Sequence, residues 1–133
     1  DFRGSWGGIA GLQSTLSVLL EAGAHARGVL LERIASLVAS APARRFRIPR
    51  KGAIAPGYDA DLVFVDFEAS RTLTAGQLLQ RHRLSPYIGR SFRGVATRTI
   101  SRGETILQNG RVTAAGGGRT IQHEPGKGVS WRM

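Results

Sequence analysis

The sequence predicts an α+β chain, helical before Pro49 and built from strands and turns after it. Three observations carry this expectation. Apolar residues recur at three- and four-residue steps in two stretches before Pro49, the period of one helix face. An apolar segment, Leu62-Val63-Phe64-Val65, stands between Asp61 and Asp66 at strand length. Turn-forming pairs, Pro56-Gly57 and Asn109-Gly110, separate the short β-prone runs that follow.

Ile9, Leu12, Leu16, Leu19 and Leu20 define the first helix, from about Gly8 to Ala22, with Gly23 as its stop. Leu30, Leu31, Ile34, Leu37 and Val38 mark the buried side of a second helix over 30–39. Ser40-Ala41-Pro42 then punctuates the chain. Pro42 suits the first turn of a short third helix, where a missing N–H costs nothing, and that helix carries Ala43 and Phe46 inward.

Beyond Pro49, Lys51 to Gly57 reads as a loop, and Asp61 to Asp66 as a strand buried on both faces. Leu73 to Leu79 holds a helical turn with Thr74 as N-cap, and Ser85-Pro86-Tyr87 is a turn. Val95–Ser101 and Thr105–Leu107 form a hairpin around Arg102-Gly103-Glu104, and Asn109-Gly110 returns the chain into Arg111-Val112-Thr113. Gly, Pro and charge dominate from Gly116, so residues 116–133 are expected to form a flexible tail. Helices and strands in this arrangement each leave an apolar face uncovered, which points to a partner surface outside the sequence.

Composition narrows the function. The 133 residues are 41% hydrophobic and 21% charged, enough for a packed core. There is no cysteine, which excludes disulfides, thiolate catalysis and thiolate metal sites and fits a cytoplasmic setting. No apolar run reaches the roughly 18 residues of a membrane span. The chain starts Asp1-Phe2-Arg3, with neither an initiator Met nor a signal peptide, and so reads as a piece whose upstream part is missing. The net charge is +10, from 19 Lys and Arg against 9 Asp and Glu. The arginines are spread along the chain, which argues against a dedicated nucleic-acid site. Their densest group is Arg44, Arg45, Arg47, Arg50 and Lys51, followed by Arg81, Arg83, Arg90 and Arg93.

Candidate chemistry is sparse. His25, His82 and His123 have no ligand-like spacing, so no metal site is expected from this chain. Asp59 and Asp61 flank Ala60 in a turn, a carboxylate pair that invites comparison with metal or acid–base sites. Gly126-Lys127-Gly128 lacks the spacing of a phosphate loop, and Gly116-Gly117-Gly118 reads as a linker.

Five segments, in order, resemble the allantoinase branch of the cyclic amidohydrolases, which also includes hydantoinases, dihydropyrimidinases and dihydroorotases. They are Ser5-Trp6-Gly7-Gly8-Ile9-Ala10-Gly11-Leu12-Gln13; Ser40-Ala41-Pro42-Ala43-Arg44-Arg45-Phe46, with Ala41 where Asn is usual; Lys51 through Val63; Arg81-His82-Arg83-Leu84-Ser85-Pro86-Tyr87-Ile88-Gly89-Arg90; and Thr99 through Glu104. The Lys51–Val63 segment marks the superfamily, and the first and fourth favour the allantoinase branch.

The resemblance implies the C-terminal part of a (β/α)8 TIM barrel with a small β-sandwich. Residues 1–48 supply the last helices of the barrel, 49–115 the C-terminal strands of the sandwich, and 116–133 the tail. It implies hydrolysis of allantoin to allantoate, a step of purine catabolism, by a pair of divalent metals, zinc by expectation. None of the family's catalytic residues or metal ligands falls on this chain. There is no His-x-His; Lys51 and Lys127 are not at the bridging position, and Asp1 is too close to Trp6 to be the metal-binding Asp. For Asp59 and Asp61 the resemblance implies instead that they serve the turn, through bonds to nearby backbone N–H groups. For one role the resemblance implies a place here: the backbone at Gly8, Ile9 and Ala10 would grip the amide face of the substrate ring, the equal alternative being a plain helix entry after a loop. Trp6 reads as a packing residue. The implied partners are the missing N-terminal barrel, a cyclic ureide and other copies in a homo-oligomer. Two function classes stand side by side. One is an enzyme piece that is inactive alone, with another cyclic ureide or imide as alternative substrate. The other is a non-catalytic binding or self-assembly module derived from such an enzyme.

Overall fold

A computed structural model describes residues 8–113 and 117–121. Among them are three α-helical segments, α1 (Thr15–Val18), α2 (Leu31–Ala35) and α3 (Ala41–Arg45), and four strands, β1 (Leu62–Thr72), β2 (Ser91–Ser101), β3 (Glu104–Gln108) and β4 (Arg111–Val112). The strands form one sheet in the order β1-β2-β3-β4, and the β2–β3 and β3–β4 pairs are antiparallel. This is the α+β class the sequence predicts. The residues gather into two compact units. The first draws on the chain up to Val29 and on Asp66–Val95, the second on Leu30–Val65 and on the chain from Ala96 onward.

In the first unit, a 3-10 turn at Leu12–Ser14 leads into α1, which continues as widened, π-type turns through Leu19–His25. The helix does not stop at Gly23, which keeps a helical backbone. It ends at Gly28, where φ is +65°. There the Gly28 N–H donates to Ala24 O at 2.9 Å and the Val29 N–H to Gly23 O at 3.1 Å, so the last carbonyls are captured by the left-handed turn. Of the expected apolar face, Leu20 is buried and Leu16 and Leu19 are half-buried, whereas Ile9 and Leu12 are exposed. Leu78, Phe92 and Val95 complete the buried apolar set, each contributing about 1.5–3 kcal/mol. Gly94, at φ +95°, lets β2 approach the helix closely: a Cβ there would lie 2.9 Å from Leu20 Cβ. The expected turn after Leu73 is present. Thr74 caps a 3-10 turn at Ala75–Gln77, and Gln77 returns the bond by accepting the Thr74 N–H at 2.9 Å.

In the second unit, α2 passes through widened turns at Ser36–Ser40 into α3 without a break, so Ser40-Ala41-Pro42 does not interrupt the helix. Pro42 sits in the first turn of α3. The widened turns before it relieve the crowding a proline ring causes against the carbonyl four residues back. Ile34 and Ala43 are buried, but Leu30, Leu31, Leu37, Val38 and Phe46 are exposed. The amphipathic pattern is real, yet nothing among the described residues covers that face. The same holds for β1. Val63 and Phe64 are about half exposed rather than buried on both faces, because β1 ends the strand order and lacks a covering layer.

The C-terminus of α3 closes in a Schellman arrangement. The Arg47 N–H donates to Arg44 O at 3.3 Å and the Ile48 N–H to Ala43 O at 2.9 Å, with Arg47 at φ +50° in the position glycine usually takes. The hairpin turn is tighter than expected. Arg102 and Gly103 alone, at φ +47° and +87°, join β2 to β3 as a type I′ pair requires, and Glu104 already pairs with Ser101. A register shift lies between Thr99 and Ile100. Asn109-Gly110 turns the chain into β4 as expected. Of the expected tail, residues 117–121 have no regular structure, and the remainder lies outside the described residues.

Gly52 and Arg47 make opposite predictions for the second unit. At Gly52, φ is +83° and a Cβ would lie 2.6 Å from Ala43 Cβ and 3.0 Å from Ala39 O. Gly52→Ala is expected to lower stability by about 2 kcal/mol, through strain and displacement of the loop from the helix. Arg47→Gly is expected to raise it by about 1 kcal/mol. Urea midpoints of the two variants test this, and an unchanged midpoint for Gly52→Ala would show that the loop does not seat on α3.

Candidate functional site

Gly8, Ile9 and Ala10 form an exposed stretch ahead of the first helical turn. Gly8 has φ +150°, and a Cβ there would meet no atom within 4 Å. The Gly11 N–H donates to Ile9 O at 2.8 Å, closing a three-residue turn around Ala10. The Ser14 N–H then donates to Gly11 O at 2.9 Å and starts the helix. The three expected substrate-gripping residues are thus contiguous and accessible, with the Ile9 carbonyl already engaged. Trp6 and Gly7 lie outside the described residues.

The segment that follows is tied down by Gln13, a residue sequence reasoning passed over. Its side chain bridges the 77–79 backbone: Nε2 donates to Gln77 O at 2.8 Å and Oε1 accepts the Leu79 N–H at 2.9 Å. Gly11 lies against Tyr87, whose ring meets Phe92 edge-on at 5.9 Å between centroids. The first and fourth sequence segments therefore meet inside one unit. Glu21 accepts the Arg93 N–H at 2.7 Å, and His25 stacks on Phe67 at 3.9 Å with Nε2 3.0 Å from Phe67 O. His82 lies in a loop, where its backbone oxygen accepts from the Gln80 side chain at 2.9 Å. His123 lies outside the described residues.

The third and fifth segments meet in the second unit. Lys51 Nζ pairs with Asp59 at 2.9 Å and also with Asp61, and Arg50 lies 3.5 Å from Asp59. Lys51 and Asp59 are only 15% and 18% exposed, so solvent screens this pair less than a surface one. Asp61 also accepts the Arg102 N–H at 2.7 Å, and Ala60 O accepts the Gly103 N–H at 3.0 Å. The Asp61 carboxylate thus serves a backbone N–H, as expected, whereas the Asp59 carboxylate is taken up by Lys51 and Arg50, and Lys51 as the shared cation was not foreseen. The missed signal is the spacing itself, a lysine before a Pro-Gly turn and two aspartates after it.

These contacts shift the titrations. Hydrogen bonds donated to Asp61 and Asp59 hold the Lys51 ammonium above its ordinary value. The Lys51 hydrogen bond holds the Asp59 carboxyl below its ordinary value. At Asp61 burial pushes upward, and the bonds from Lys51 and the Arg102 N–H outweigh it, so the carboxyl also titrates low. A metal pair does not fit this donor set. Among the described residues, no group of three or more His, Asp or Glu could hold an ion, and the closest carboxylates are taken up by Lys51.

Residues 8–106 match the amidohydrolase family model, so the chain belongs to the amidohydrolase family. Within it, the chain is similar to allantoinases. It is 52% identical to one from Solibacter usitatus over 92% of this chain and 27% of that protein. It is 46% identical to one from Rubrobacter xylanophilus over 96% of this chain and 28% of that protein. Among solved structures it resembles an L-hydantoinase (dihydropyrimidinase) from Arthrobacter aurescens, with TM-score 0.78 and 30% identity over 86% of this chain and 26% of that one. The chain therefore spans little more than a quarter of the length of these relatives. No helix of the described residues is long and apolar enough to cross a membrane.

The Lys51 cluster predicts a two-sided pH dependence. The depressed carboxyls contribute stability that is complete above their ordinary value of about 4 and is lost as pH falls through their folded values. The raised Lys51 contributes stability that is complete below about 10.4 and is lost as pH rises through its folded value. Lys51→Met should lower the urea midpoint at neutral pH, and the gap to the parent chain should close at both extremes. A gap that stays constant with pH would rule the pairing out as its source.

Proposed function

We propose that this chain is the C-terminal share of an allantoinase-like hydrolase that opens the cyclic amide of allantoin to allantoate. Residues 1–48 supply the last helices of its barrel, 49–115 the C-terminal strands of its sandwich, and 116–133 a tail. The observation that carries the reading is the 52% identity to an allantoinase over nearly the whole chain. The order of the five sequence segments and their pairwise contacts within each unit support it.

In this reading the chain positions substrate and provides none of the catalytic or metal-holding side chains. A divalent metal pair, zinc by expectation, would be held by the rest of the enzyme and supply the activated water. The backbone at Gly8, Ile9 and Ala10 hydrogen-bonds the ring amide and sets its orientation. The chain alone is inactive. Its partners are the N-terminal barrel and further copies in a homo-oligomer, in the cytoplasm. The likeness to an L-hydantoinase keeps a related cyclic ureide or imide as the second reading.

Fragment complementation tests this. The chain is mixed with the Solibacter allantoinase shortened by its matching segment, with zinc added. Allantoate should form in the mixture and from neither part alone. Ring opening of hydantoin or dihydropyrimidine but not allantoin would favour the second reading, and turnover by the chain alone would overturn the division of labour. Ala10→Pro removes one backbone N–H and should raise KM by about tenfold in the mixture.

A further inference from the structure

We propose that the groove beside the C-terminal end of α3 binds a small polyanion bearing carboxylate or phosphate groups, held by Arg44, Arg47 and Arg50. The groove lies wholly within the second unit and has a volume of about 670 Å³, within the range of small-molecule sites. Arg44, Arg47, Arg50 and Lys51 line it, and no carboxylate does. Asp59 and Asp61 stand behind Lys51, and Arg50 shares Asp59 at 3.5 Å while its side chain is 69% exposed. Two carboxylates therefore answer four cations. Arg44 and Arg47 have no carboxylate within 4 Å among the described residues.

A second observation points the same way. Arg47 occupies the left-handed C′ position of the α3 cap, at φ +50°. Glycine closes such a cap without strain, so capping does not account for an arginine there. Strain of this kind in a non-glycine residue motivates a functional reading. The cap also sets how recognition occurs. The N–H groups of Phe46, Arg47 and Ile48 already bond to Pro42, Arg44 and Ala43 carbonyls, so these three cap residues offer no backbone donor. The same bonds occupy carbonyls that would otherwise repel an anion at a helix C-terminus. The guanidinium groups of Arg44, Arg47 and Arg50 supply donors whose planar forks match carboxylate and phosphate oxygens two at a time. Ile48 and Pro49 give the groove an apolar wall, and the Tyr58 side chain is partly exposed at its edge.

Calorimetric titration of the 133-residue chain with citrate and with tripolyphosphate, at low ionic strength, tests the proposal. Saturable binding of either probe at one site is expected. Arg44→Gln with Arg47→Gln should weaken it by about a hundredfold, one decade for each charge-assisted contact. Arg81→Gln with Arg83→Gln removes the same charge from the other unit and should change affinity by no more than about twofold. Arg44→Lys with Arg47→Lys keeps the charge and should still cost about tenfold, because the fork is lost. Circular dichroism checks that each variant keeps its helices. The proposal is overturned if neither probe saturates, if both Gln pairs weaken binding equally, or if the Lys pair retains full affinity.

Discussion

Asp61 is the residue on which the second unit depends. One carboxylate oxygen takes the Arg102 N–H at the hairpin turn, and the other pairs with Lys51 at the start of the loop. Ala60, beside it, accepts from Gly103. The loop from Lys51 to Asp61 is thereby closed at its base and fastened to the β2–β3 turn, and Gly52 can lie against Ala43 on the helix. Remove the carboxylate and the loop, the turn and the helix each lose a reference point.

The first unit is organised in the same manner with a neutral residue. Gln13 offers one donor and one acceptor to the 77–79 backbone, and so fixes the helix entry against the capped turn that Thr74 begins. In both units a single polar side chain joins two segments distant in sequence by satisfying main-chain groups. Polar residues used this way specify one arrangement where apolar contacts alone would allow several. The small buried set of Leu20, Leu78, Phe92 and Val95 supplies contact without much choice of register.

Family membership and this geometry assign the sequence segments to architecture more than to chemistry. Asp59 and Asp61, the pair that most resembles a catalytic dyad, are committed to Lys51 and to a backbone N–H. His25 is committed to Phe67. Gly8, Ile9 and Ala10 stay accessible, and the arginine-lined groove at the end of α3 carries charge that no carboxylate among the described residues fully neutralises.

The sequence by itself determined what depends on neighbours along the chain. The two helical stretches, the Thr74 cap, the Asn109-Gly110 turn and the hairpin at Arg102-Gly103 are local rules of periodicity, capping and turn chemistry. The family was legible for a similar reason, because its segments are contiguous runs of residues. Tertiary structure decided the rest. Whether Gly23 ends a helix depends on where the last carbonyls find donors, and they find them at Gly28 and Val29. Whether Pro42 breaks a helix depends on the widened turns before it. Whether Leu37, Val38, Val63 and Phe64 are buried depends on a covering surface that periodicity cannot supply. Lys51 between two aspartates and Gln13 across 77–79 are pairings over long sequence separations, and only folding brings such partners within hydrogen-bond reach.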